Sequence, residues 1–128
     1  MTPQQLESQT ASTIAVVEAF NEAFNRHDVD AIMNAMTEDC VFEGTGPTPD
    51  GARFQGQVAV RAVWEGLFGS LPQAYFKTED IFARGDRCVG RWIYTWVDRD
   101  GNPGRLRGVD VFRVRDGKIA ENCSYVKG

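Results

Sequence analysis

The sequence is poor in the residues on which several large classes of protein depend. It holds one histidine and three cysteines among 128 residues. Cys40, Cys88 and Cys123 are odd in number, far apart and form no CxxC pair, which argues for reduced thiols rather than a disulfide framework. With His27 as the sole imidazole, a zinc site lacks material, and no Ser/His/Asp triad can be built around a histidine in a connecting loop. No apolar run approaches the roughly 18 residues that a membrane helix requires. The N-terminus, MTPQQLESQTAST, lacks the basic-then-apolar order of a signal peptide. No Walker-type glycine loop is present, and Gly44-Thr45-Gly46 precedes no helix, so it fails the context test for a dinucleotide loop. Excess positive charge is missing too: 14 basic against 18 acidic residues give −4, which argues against a nucleic-acid binder. These absences predict a cytoplasmic protein that uses no metal, no cofactor, no membrane and no nucleic acid.

What remains is an ordinary globular composition, 42% hydrophobic and 25% charged, in a length that suits one domain. Residues 1–64 carry 3 basic and 9 acidic groups, residues 65–128 carry 11 and 9. The arginines Arg105, Arg107, Arg113 and Arg115 crowd one stretch, but the acids interspersed with them make it read as a solvated strand face or a salt-bridged interface rather than a phosphate site.

Periodicity divides the chain. Residues 1–11 read as a flexible N-terminal segment, and 12–128 as the single domain. Ile14, Val17, Phe20 and Phe24 recur at helical spacing, and Asn25-Arg26-His27 breaks that helix. Asp28 suits the N-cap of a second helix carrying Ile32, Met33 and Met36 and ending near Thr37. Cys40–Glu43 is a short strand candidate. The thirteen-residue stretch 44–56, with four glycines and two prolines, reads as a lid or binding loop. A third helix spans 57–70, with Val60, Val63, Trp64, Leu67 and Phe68 on one side, and Pro72 stops it. Strands follow at 74–83, 87–97, 105–115 and 118–126, separated by Arg84-Gly85-Asp86, by 98–104 and by the hairpin pair Asp116-Gly117. Helices first and an antiparallel meander afterwards predict an α+β fold. In this setting the tripeptide Arg84-Gly85-Asp86 is a turn, the sequon Asn122-Cys123-Ser124 is coincidental, and His27 is an exposed connector.

The two-residue strand period then locates candidate site residues. In 105–115, Leu106, Gly108, Asp110, Phe112 and Val114 share a face, so Asp110 stands alone on an apolar surface that a helix must cover. Burying an isolated carboxylate is costly unless it is paired, hydrogen-bonded or protonated. In 87–97, Val89, Arg91, Ile93 and Val97 share one face and Trp92, Tyr94 and Trp96 the other. The Arg91 face is assigned to the core, and the aromatic face to a homodimer contact, because Trp and Tyr are enriched at interfaces. Asp110, Arg91, Asn122 and Ser124 would then converge in an aromatic cavity, the pattern expected of a small-molecule site.

The stretches AFNEAFNRHDVDAIMNAMTEDCVFEG, GQVAVRAVWEGLF and RGVDVFRVRDGKIAE resemble the SnoaL-like branch of the nuclear-transport-factor-2-like superfamily over residues 12–126. The resemblance implies three N-terminal helices packed in a curved, mostly antiparallel sheet, a cone-shaped, cystatin-like roll with a deep apolar pocket and a homodimeric assembly. It supports an inward Asp110, since ketosteroid isomerases of this superfamily carry an Asp in the matching Asp-x-Phe-Arg strand. Other positions depart from the family's catalytic patterns. Phe20 stands where the isomerases place an oxyanion Tyr, and Gly44 where they place the base Asp. After Gly-Lys-Ile, the cyclases' Glu-His-Trp-Asp is replaced by Glu121, Asn122, Cys123 and Ser124. Of the Asp-Arg-Asp set of epoxide-hydrolase-like members, Arg91 matches, but Ile93 and Ser124 occupy the carboxylate positions. One fold serves many activities here, so the resemblance fixes the fold more firmly than the chemistry.

The expected function is acid/base chemistry on a small hydrophobic molecule, of a polyketide cyclase, isomerase or hydrolase/lyase type. Asp110 and Arg91 form the catalytic pair, with Arg91 lowering the pKa of Asp110 so that it acts as a base. Phe20, Phe24, Phe42, Trp64, Phe68, Ile93 and Phe112 would wall the pocket, and Asn122 and Ser124 would hold ligand oxygens. The alternative is a non-catalytic ligand-binding or accessory protein of the same fold.

Overall fold

The computed structural model describes residues 1–128. Helix α1 (Pro3–Asn25) opens with a reciprocal cap: the Gln5 amide donates to the Thr2 hydroxyl while the Gln5 side chain accepts from the Thr2 N–H, and Pro3 occupies the first turn. Residues 3–11 are therefore helical rather than a flexible segment ahead of the domain. Long-range bonds hold them there. The Gly85 N–H donates to Thr10 Oγ1 at 2.9 Å, and the Thr13 hydroxyl donates to the Gly85 carbonyl at 2.6 Å. That clamp fixes the turn between β3 (Tyr75–Arg84) and β4 (Arg87–Val97), where Gly85 has φ +61°.

Helix α2 (Val29–Asn34) is capped by Asp28 as expected but stops before Met36. Met36 instead begins β1 (Met36–Glu43), which pairs in parallel with β6 (Lys118–Val126). The Gln57 amide donates to the carbonyls of Met33, Met36 and Thr37, satisfying the backbone where helix gives way to strand. Part of the expected 44–56 loop is a strand, β2 (Arg53–Gln55), paired antiparallel with β1. The remainder closes on itself through Ala52 N–H to the Gly46 carbonyl and Gly44 N–H to the Ala52 carbonyl, both 2.9 Å. Gly51 is obligatory there: its φ is +77°, and a Cβ would lie 1.8 Å from the Gly44 oxygen. Helix α3 (Gln57–Ser70) follows, so only two of the three helices precede the sheet in sequence.

With β5 (Pro103–Arg115), the six strands form one curved sheet in the order β2-β1-β6-β5-β4-β3, antiparallel except at β1–β6. The fold is α+β. The helices cover one sheet face, and the core joins Val17, Phe20 and Phe24 of α1 to Trp64 of α3 and Phe112 of β5. No helix is long and apolar enough to cross a membrane. At the end of α1, the Asn25 amide copies a strand neighbour: its Nδ2 donates to the Phe76 carbonyl and its Oδ1 accepts from the Phe76 N–H, both at 2.8 Å. Asn25→Ala leaves two backbone groups of Phe76 without these partners and should cost about 2–3 kcal/mol in urea unfolding. A cost near zero would show that solvent replaces the amide.

Candidate functional site

Cross-strand register decides which side chains meet on the covered face. Directly opposed residues of neighbouring strands share a face, and Asp110 lies opposite Gly90 on β4 and Ser124 on β6. The adjoining row runs Cys88, Phe112, Asn122, Phe42 and Phe54 across five strands. The even-numbered residues of β4 therefore face the helices, and Arg91 and Ile93 point the other way.

This reverses two expectations. Arg91 is exposed on the outer sheet face, opposite Val109 and beside Glu79 and Arg107, so it cannot pair with Asp110. Trp92 and Tyr94, expected at a subunit contact, are 7% and 8% exposed and pack against Phe76 inside the protein, Trp92 edge-on and Tyr94 stacked. Of the three aromatic residues expected at a subunit contact, only Trp96 is half-exposed. The enrichment of Trp and Tyr at interfaces does not decide the face here; strand register does. The connection Asp98–Asn102 between the strands holds an odd number of residues, which pairs even positions with even ones. That signal was present in the sequence and places Asp110 with Trp92 and Tyr94.

Between the inner sheet face, α1 and α3 lies a cavity of about 360 Å³ lined by 22 residues, 13 of them hydrophobic. Phe20, Phe24, Phe42, Trp64, Phe112, Asn122, Ser124 and Asp110 all contribute to its wall, as expected. Phe54, Phe76, Thr78, Gly90, Trp92 and Tyr94 do so unexpectedly. Ile93 is absent because it faces outward. Phe68 is absent because it packs behind the wall, 4.9 Å from the Phe24 ring and stacked 4.1 Å from His27. His27 is correspondingly not a plain exposed connector: it is half-buried, with Nε2 2.7 Å from the Ala74 carbonyl.

Asp110 is the one carboxylate in this wall. The Ser124 hydroxyl donates to its Oδ1 at 2.6 Å. Burial pushes the carboxyl from an ordinary 3.8 up to about 6, against the opposing pull of the Ser124 hydroxyl and of the Trp92 indole N–H, which lies near the carboxylate without reaching hydrogen-bond geometry. The expected lowering by Arg91 is replaced by its opposite, because the guanidinium is on the far side of the sheet. A carboxyl titrating at about 6 is largely ionised at neutral pH and accepts protons readily.

Four buried polar atoms have no hydrogen-bond partner: Nε1 of Trp64, Nε1 of Trp92, the Tyr94 hydroxyl and Oδ1 of Asn122. All four belong to residues of the cavity wall. Burial raises the Tyr94 hydroxyl to about 12, so it stays protonated and able to donate. Buried polar groups in folded proteins are normally paired, so such a concentration around one cavity marks a place where a ligand or solvent completes the bonding.

Known proteins match this architecture. The model of the SnoaL-like domain family matches residues 17–122. An NTF2-like protein of unknown function from Mesorhizobium loti is 39% identical, with 94% of each chain covered and a TM-score of 0.79. A putative polyketide cyclase from Xanthomonas campestris is 25% identical over 93% of each chain, with a TM-score of 0.84. An LEH-like epoxide hydrolase of M. tuberculosis shares the fold at 24% identity and a TM-score of 0.79, over 92% of this chain and 84% of that one. No curated protein sequence matches. A family match over most of the chain, a close structural relative and the shared sheet topology lead to one conclusion: the chain belongs to the SnoaL-like domain family.

Proposed function

We propose that this protein is an acid/base enzyme acting on a small hydrophobic molecule, with Asp110 as its proton carrier. The observation that carries the reading is the position of Asp110: a lone carboxylate in an aromatic cavity, held by Ser124, in a wall that also carries three unpaired donors. Charge kept in an apolar site at the expense of stability is a recurring mark of function. The carboxylate takes a proton from a carbon next to a carbonyl, and the bonding pair moves to the carbonyl oxygen. The Trp92 N–H and the Tyr94 O–H are the groups able to stabilise the oxyanion that forms. Asp110 then returns the proton at another carbon, which is an isomerisation, or at a leaving oxygen, which is an elimination. The similarity to a putative polyketide cyclase supports an activity of this kind. Arg91 has no part in it. The test is Asp110→Asn, which removes the base and should lower turnover of the protein's substrate by roughly 10²–10⁴-fold.

The cavity wall holds no second carboxylate and no Lys, Arg or His, and that favours one other reading, a ligand-binding protein without turnover. The two separate cleanly. A ligand that raises the melting temperature, is never converted and binds Asp110→Asn as well as wild type identifies the second.

A further inference from the structure

Gly90 is out of place by the ordinary rules for strands. Glycine in a strand interior weakens the sheet, and it is normally found where φ is positive, where the chain bulges, or where something packs too closely for a side chain. At Gly90 the φ is not in the left-handed region, and a Cβ would meet only Cε2 of Phe112 at 3.9 Å, an ordinary contact. The bulge nearby lies on β3, between Thr78 and Asp80. Gly108 and Gly104 differ: a Cβ on Gly108 would lie 2.2 Å from the Tyr125 carbonyl, and one on Gly104 2.0 Å from the Trp96 ring. Those two glycines are demanded by the fold, and Gly90 is not. Its missing side chain leaves room on the cavity floor, beside Asp110, its partner in the strand pairing.

The next inward positions on the same strand are Trp92 and Tyr94, each with an unpaired buried donor. The floor of the cavity thus presents, in order, a vacant seat and two hydrogen-bond donors. No Lys, Arg or His lines the cavity, so an anionic ligand would meet Asp110 with no counter-charge in an apolar surrounding. A cation would satisfy Asp110 but leave both donors without acceptors. An uncharged molecule with an oxygen acceptor satisfies the donors and tolerates the carboxylate. The aromatic side chains of Phe42, Trp64 and Phe76 in the wall favour a ring system.

We propose that Gly90 sets the specificity of this site: the space it leaves seats the reacting end of an uncharged, carbonyl-bearing ring molecule, whose oxygen is taken by Trp92 and Tyr94. This rests on reading the cavity as the substrate site, but it concerns binding rather than proton transfer. It therefore stands or falls separately from the role of Asp110.

The test uses four probes of one size, followed by ligand-observed NMR titration: 1-tetralone, its hydrocarbon counterpart tetralin, 1-naphthoate and protonated 1-aminotetralin. 1-Tetralone should bind about tenfold more tightly than tetralin, the worth of one good hydrogen bond. 1-Naphthoate and the ammonium should bind more weakly than the ketone. Tyr94→Phe and Trp92→Phe should each bring the ketone towards the affinity of tetralin. Gly90→Val should weaken 1-tetralone about tenfold or more, with its unfolding midpoint retained. Should valine disturb the fold, Gly90→Ala, for which there is room, gives the same ranking at smaller amplitude. The proposal is overturned if 1-tetralone does not bind, if it binds no better than tetralin, or if the ammonium or the carboxylate binds better. It is equally overturned if Gly90→Ala and Gly90→Val leave the affinity unchanged. Loss of turnover chemistry in Asp110→Asn, or its survival, alters none of these outcomes.

Discussion

Asp110→Asn should make the protein more stable at neutral pH while lowering the turnover proposed for it. The folded-state carboxyl titrates at about 6 instead of 3.8, because burial disfavours the ion. A raised carboxylate pKa means that the native state resists ionisation. Below about pH 4 both folded and unfolded chains carry a protonated Asp110, and the residue is neutral in its effect. Between about pH 4 and 6 the unfolded chain ionises first and stability is lost; above about pH 6 the full cost is present. Two pKa units correspond to about 3 kcal/mol, so the amide should gain about 2–3 kcal/mol at pH 7, on the order of 10 °C in melting temperature. Urea unfolding of both proteins from pH 3.5 to 8 checks this. The difference should be small at the acid end, grow through pH 4–6 and then level off. A variant less stable than wild type by the same amount at every pH would falsify the account, since it would make Asp110 a structural hydrogen-bonder only. Stability gained where activity is lost is the usual sign of a group retained for function.

Phe112→Ala should be the most damaging single truncation near the site. The ring is 1% exposed, sits between Cys88 and Asn122 in the cross-strand row and meets the Phe20 ring edge-on at 5.9 Å. Its removal loses the transfer free energy of the ring and leaves a void that the paired strands cannot close, at about 3–5 kcal/mol. The void would join the existing cavity beside Gly90, since the Phe112 ring is what a Gly90 side chain would touch. Denaturant midpoints measure the loss, with Phe82→Ala as the control. Phe82 is 57% exposed on the outer face, and its truncation should stay within about 0.5 kcal/mol. Equal costs for the two would mean that Phe112 is not part of the core.

The aromatic and polar content of the cavity was partly legible from residue spacing. Phe20 and Phe24 on α1 and Trp64 on α3 follow from helical periodicity, and Asp110 from its isolation on an apolar strand face. The cap of α2, the third helix and the strands of the meander were likewise local signals. Less local features were missed. The N-terminal half of α1 is fixed by Thr10 and Thr13 gripping a turn more than seventy residues away in sequence. Met36 has helical spacing from Ile32 and Met33, yet pairing with Ile119 draws it into the sheet. Strand β2 exists only because β1 offers it an edge.

By itself, then, the sequence determined most of the elements, their order and the candidate acid, because caps, turn residues and periodicity act over a few residues. Which side chains meet Asp110 was decided by register, which belongs to pairs of strands. Between β4 and β5 an odd connection sets Trp92 and Tyr94 inside and Arg91 outside. Between β5 and β6 the hairpin Asp116-Gly117 begins with Arg115 opposite Lys118, a register that would carry Cys123 to Asp110. A shift between Arg113 and Val114 adds one residue on β6, where Ile119 and Ala120 are buried in succession, and brings Ser124 there instead. One inserted residue reverses which face every later side chain occupies, so the hydrogen bond that holds the candidate acid is a product of the tertiary structure.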